Sequence, residues 1–118
     1  MKSIFGLSEN IAAAASYIFG PFSGLAVLIM ERENKFVRFH ALQSTLWFFS
    51  LMIIGVVLGF VAGLPLIGWI LGWIIRPILS IGSLLAFVSW VFLIFKAYSN
   101  ESFKIPFIGD IAWRQANK

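Results

Sequence analysis

The sequence predicts an all-α integral membrane protein: one multi-pass domain over 1–118 with three spans, a short half-helix and a C-terminal segment on the membrane surface. Composition is the first reason. Of 118 residues, 60% are hydrophobic and 12% charged, with a mean hydropathy of +0.93, whereas a soluble domain carries about 25% charged residues. A soluble fold of this size leaves much of its surface wet and could not hide so much apolar surface. The second reason is how the charges are placed. They leave three charge-free runs, 10–30, 39–75 and 77–95.

The first run, NIAAAASYIFGPFSGLAVLIM, has 21 residues, about the 20 that a helix needs to cross a bilayer. It predicts a span over 10–30, kinked where Gly20 meets Pro21. A single Lys2 offset by Glu9, and an apolar run longer than a secretory core, argue against a cleaved signal peptide. The second run is too long for one crossing. Pro65 biases Leu64 away from helix, so Gly63-Leu64-Pro65 ends a span over 39–63. The ten residues 66–75, LIGWILGWII, are too short to cross and predict an interfacial or re-entrant half-helix. Trp69 and Trp73, four apart on one face, and Arg76 then anchor at the headgroups. Glu9 is expected at the same level, as a partner for Arg76. Pro77 opens the third span, 77–96, at a first-turn position where its missing N–H costs least. The tail, 97–118, interleaves Phe103, Ile105, Phe107, Ile108, Ile111 and Trp113 with charges, as a segment lying on the membrane does.

Basic residues set the expected orientation. With three spans, Arg32, Lys35, Arg38, Lys96, Lys104, Arg114 and Lys118 share one side, and Lys2 and Arg76 the other. The excess of Lys and Arg on the cytoplasmic side places the C-terminus there and the N-terminus outside.

The same features exclude several functions. The net charge of +4 and pI near 9.9 come without a basic run, so nucleic acid is not an expected partner. With no Cys there is no disulfide, thiolate metal site or cysteine nucleophile. No Asp, Glu or Lys lies deep in a span, which disfavours proton relays and ion-coupled carriers. Metalloprotease, serine-hydrolase and phosphate-loop patterns are absent. A lone His40 is weak support for a metal, a haem contact or a general base. No enzymatic activity, metal or cofactor is expected.

Two features carry more. Gly55, Gly59 and Gly63 recur every four residues, a spacing that lets helices approach closely in lipid, either within the chain or between copies. The block ENKFVRFHALQS at 33–44 is the most polar stretch of the first two thirds. As a helix it puts Phe36, His40, Gln43 and Trp47 on one face, and Asp110 is the carboxylate expected to pair with Arg38 or His40. The block is either a folded corner at the headgroups or a recognition or gating surface built from Arg38, His40, Gln43 and Asp110.

The stretch YIFGPFSGLAVLIMERENKFVRFHALQS, with FKIPFIGDIA near the end, resembles a family of small bacterial and archaeal membrane proteins of unknown function. That family is similar to the membrane subunit of the chloroplast protein-import translocon, its twenty-kilodalton Tic component. The matching positions are Asn34, Phe36, Val37, Arg38, Phe39, His40, Gln43 and Ser44, with Pro106, Gly109 and Asp110. The resemblance implies a multi-pass helical protein of the cytoplasmic membrane without assigned catalytic residues. The expectation is a non-enzymatic protein that self-associates or serves as a small subunit of a transport or translocation assembly. The alternative is a small-molecule binder or transporter with its site near the 66–75 half-helix.

Overall fold

The computed structural model describes residues 6–117, which form five helices: α1 (Glu9–Ile18), α2 (Pro21–Met30), α3 (Lys35–Ala62), α4 (Ile67–Tyr98) and α5 (Ile108–Ala116). The long helices start and stop where local chemistry requires. The Asn34 side chain caps α3 by accepting the Val37 N–H at 3.1 Å, satisfying one of the orphan donors of a first turn. α3 ends at Gly63, just before Leu64-Pro65. With 28 and 32 residues, α3 and α4 run for about 42 and 48 Å, each more than the ~30 Å hydrocarbon layer. Their most apolar 18-residue windows are 0% and 6% buried within the protein. A core helix of a soluble protein would be covered. Both helices are long and apolar enough to cross a membrane, and the rest of the chain leaves them uncovered.

Two expectations about the helices need correction. Residues 66–75 are not a separate half-helix; from Ile67 they form the first third of α4, which continues through Pro77. The proline removes one helical hydrogen bond without breaking the helix, as happens often in membrane helices. The run 10–30 is not a span either. Gly20 has φ 62° and ψ −132°, a conformation open to glycine but costly for other residues. With Pro21 opening α2, the expected kink becomes a reversal. α1 and α2, ten residues each, are about 15 Å long, too short to cross. The described chain therefore has two helices long enough to span, not three.

The short helices gather at one end of the long pair. α1 packs on α3 and α4, α2 on α3, and α5 on α3. Asn34 Nδ2 donates to Glu9 Oε2 at 3.0 Å and Asn10 Nδ2 to the Tyr98 carbonyl at 2.9 Å. The starts of α1 and α3 and the end of α4 therefore lie together. The N-terminal side of α1 is at the same end as loop 31–34 and the tail, not at the opposite end. At the reversal, a Cβ on Gly20 would lie 3.7 Å from Phe48 Cβ, roughly halfway along α3. Beyond that level α3 and α4 stand alone; between residues 49 and 92 only Gly68, Gly72 and Ile75 are buried.

One turn is used twice. Leu64-Pro65-Leu66-Ile67-Gly68 and Ile105-Pro106-Phe107-Ile108-Gly109 each place the residue after proline at positive φ, 64° for Leu66 and 66° for Phe107. In each, the following Ile N–H bonds back to the proline carbonyl, at 2.7 and 2.8 Å. This is the strained form of the γ-turn, and each copy starts a helix. The glycine closing each motif is pressed against backbone, Gly68 on Ala62 and Gly109 on Lys104.

Contacts at the glycines predict a contrast. A Cβ on Gly24 would lie 2.8 Å from Thr45 Oγ1 and 3.0 Å from the Ala41 carbonyl, whereas Gly82 has nothing within 4 Å. Gly24→Leu is expected to cost about 1–3 kcal/mol through overpacking, and Gly82→Leu to leave the thermal midpoint in detergent unchanged. Equal midpoints would remove the tight α2–α3 crossing.

Candidate functional site: a buried polar network

Where α1, α3 and the tail meet, the interior is polar. Tyr17, His40, Gln43, Ser44 and Ser16 are all fully buried. His40 Nε2 lies 2.9 Å from the Glu101 carbonyl, which only accepts, so Nε2 carries a proton. In the neutral ring Nδ1 then accepts, and it does so from the Tyr17 hydroxyl at 2.7 Å. Gln43 Nε2 donates to the Tyr17 oxygen at 3.0 Å and to the Phe103 carbonyl at 2.9 Å. Its Oε1 accepts the Ile105 N–H at 2.9 Å. Every donor thus meets an acceptor, and no buried side-chain polar atom among the described residues lacks a partner. The network holds 101–105 by its backbone, and Phe36 and Phe39 pack edge-on against the His40 ring.

A second set of bonds closes the α1–α2 reversal. Ser44 Oγ lies 2.8 and 2.9 Å from the Ser16 and Gly20 carbonyls and shares its proton between them. Ser23 Oγ accepts the Phe19 N–H at 3.0 Å and reaches the Ser16 carbonyl at 2.9 Å. Trp90 Nε1 donates to the Tyr17 carbonyl at 2.7 Å. The Ser16 and Tyr17 carbonyls are among those that the end of α1 leaves without helical partners.

The block 33–44 is thus distributed over several joints. Arg38 Nη1 donates to the Leu28 and Glu31 carbonyls at 3.2 and 2.6 Å, closing the end of α2. His40 and Gln43 fasten the tail, and Ser44 caps the reversal. Asp110 does not pair with Arg38 or His40. It is exposed, with its carboxylate 3.9 Å from Lys104 Nζ, because α5 turns it outward while Ala112 and Ala116 pack on Phe39. Glu9 engages Asn34 instead of Arg76, at the end of the molecule away from the 63–66 turn. Arg76 folds its guanidinium over Gly72, in an open cleft of about 380 Å³ that also involves Trp73, Pro77 and Ser80. Trp69 and Trp73 are exposed at 75% and 80%.

Gly55 and Gly59 have open space where a Cβ would stand, and Gly63 meets only its own helix. They do not pack helices within the chain. Gly55 and Gly82 line an apolar cleft of about 340 Å³ between α3 and α4, with Pro21 and Phe48 at one side. Among the described residues no group of three or more His, Cys, Asp or Glu could hold a metal ion.

Sequence reasoning missed Tyr17, Ser23 and Trp90. The usable signal was a tyrosine in an alanine-rich helix, since a buried Tyr hydroxyl needs a partner.

Gln43→Leu removes the partners of the Phe103 carbonyl and the Ile105 N–H, each worth about 1–3 kcal/mol when left buried and unpaired. Limited proteolysis is expected to cut 101–106 much faster in this variant and at the parental rate in Asp110→Asn. Equal rates in all three proteins would sink the tether.

A family model described as the magnetosome magnetite crystal formation protein family matches residues 6–112. A UPF0132 membrane protein of Archaeoglobus fulgidus is 44% identical over 109 residues, covering 92% of this chain and 96% of the relative. One from Methanocaldococcus jannaschii is 40% identical over 111 residues, covering 94% and 91%. The magnetosome protein MmsF of Paramagnetospirillum magneticum is 32% identical over 116 residues, covering 97% and 94%. No solved structure matches. The chain belongs to the small-membrane-protein family that carries the magnetosome magnetite crystal formation description, and the archaeal UPF0132 membrane proteins are its relatives.

Proposed function

We propose that this is a non-enzymatic structural protein of the cytoplasmic membrane that works by self-association, with α3 and α4 crossing the bilayer and α1–α2 re-entering from the cytoplasmic side. The observation that carries it is the contrast between the two halves. At the α1–α2–α5 end, the buried polar side chains among the described residues all have partners, both ring nitrogens of His40 included. At the other end α3 and α4 present an uncovered apolar cleft with small residues at Gly55 and Gly82. Helices in lipid associate through close packing at such residues.

Arg32, Lys35, Arg38, Lys96, Lys104 and Arg114 all fall at the α1–α2–α5 end, with Arg76 displaced toward the other. Lys2 and Lys118, also counted from the sequence, lie outside the described residues. The basic excess supports a cytoplasmic location for that end. A role as a small subunit of a transport or translocation assembly, which the resemblance to the Tic component suggests, belongs to the same reading. Two crossing helices cannot enclose an aqueous path, whereas several copies can.

The absence of cysteine makes topology directly testable. Single cysteines at Ser8, Glu33 and Glu101 are expected to label from one face of sealed vesicles and a cysteine at Leu66 from the other. Labelling of Ser8→Cys from the Leu66 side would overturn the re-entrant arrangement. For self-association, the mass of the protein in a detergent-free membrane mimic is expected to show a defined oligomer, and Gly55→Leu to reduce it toward monomer with its thermal midpoint intact. A monomer in both proteins would remove the proposal.

A further inference from the structure

The helices are distributed very unequally along the long axis. The protein measures 55 × 24 × 22 Å. The half holding loop 31–34 contains α1 and α2, the first half of α3 and the end of α4, with α5 on the flank. The other half contains only the rest of α3 and α4. With α1–α2 re-entrant, four helices displace lipid in one leaflet and two in the other. Taking each helix as ~10 Å wide, this is roughly twofold in cross-section. The reversal does not thin toward its tip, because Phe19 and Phe22 stand out from it at 74% and 65% exposure. The reversal is also held at fixed depth, since Ser44 and Trp90 bind its carbonyls directly.

We infer that the protein is a wedge that recognises membrane curvature, preferring bilayers whose convex leaflet is the one holding α1, α2 and α5. A bilayer deforms to accommodate a protein that does not match it, at a modest cost that nonetheless sorts proteins between membranes. When the leaflet around the wide end is already expanded, that cost falls. The ligand is the shape of a lipid surface and not a headgroup. This rests on the re-entrant arrangement and not on self-association. Copies meeting at their narrow halves would splay in the same sense.

The test uses the intact chain, carrying a single fluorescent label on Glu101→Cys, reconstituted into phosphatidylcholine vesicles sorted by size. Uncharged lipid removes the attraction of basic residues for anionic headgroups. The protein-to-lipid ratio is expected to be at least about twofold higher in vesicles of about 30 nm than of about 200 nm, since membrane elements that wedge one leaflet sense curvature. In the small vesicles the label should also face outward in most molecules, read as quenching by an impermeant reagent. Equal ratios at all sizes overturn the inference. So does enrichment without outward bias, because a wedge has direction. Phe19→Lys with Phe22→Lys places charge at the tip of the reversal and is expected to abolish the size preference while Leu66 and Glu101 still label from opposite faces. Size preference kept by that variant also overturns it. Failure of the re-entrant topology is read separately, from labelling at Ser8.

Discussion

The last carbonyls of a helix have no partners within it, and closing those of α1 is the constraint on which the rest of this structure depends. α1 stops at Ile18, about halfway along α3. Its last carbonyls are met by Ser44 from α3, Ser23 from α2 and Trp90 from α4. Those three donors come from three different helices. Closing one end therefore fixes the depth of the reversal and the spacing of the two long helices. Gly24 then has to be a glycine, because α2 is drawn so close to α3 that Thr45 Oγ1 and the Ala41 carbonyl occupy the space of a side chain.

The Tyr17–His40–Gln43 group applies the same rule to the tail. An extended segment lying on a membrane helix carries unpaired backbone groups, and three of them, the Glu101 and Phe103 carbonyls and the Ile105 N–H, are taken by two side chains of α3. Tyr17 couples the tail to α1, so the N-terminal reversal and the C-terminal segment are joined through one hydroxyl. A network of this kind is stable only when complete, because each unmet buried group costs more than a formed bond returns.

Much of the class was legible in the sequence, and less of the path. Composition and the charge-free runs marked an α-helical membrane protein, and the 39–63 helix emerged within a few residues of α3. The period of the block 33–44 placed Phe36, His40, Gln43 and Trp47 on one face. Path was harder because length alone does not separate a kink from a reversal. A 21-residue apolar run with Gly-Pro at its centre fits both, and the decision lay in Ser16, Ser23 and Ser44, which only matter once they are seen to surround Gly20. Pro77 misled in the opposite direction: proline after a charged residue reads as a helix start, yet lipid-facing helices tolerate one lost hydrogen bond. Asp110 was assigned a partner by its depth in the sequence pattern, whereas the γ-turn at Phe107 and the close approach of Gly109 to Lys104 set the rotation of α5 and turn the carboxylate outward.

The way the reversal is closed also bears on how the chain is made. α1 and α2 are made before the residues that close them, since Ser44 and Trp90 follow Ser16 and Tyr17 by 28 and 73 residues respectively. Until they arrive, the reversal carries open carbonyls that hydrocarbon will not accept. Its bonds to Ser44 and Trp90 are therefore completed only once both long helices have been made. The reversal is thus closed by residues that follow it in the chain, and the tail is fastened to it through Tyr17.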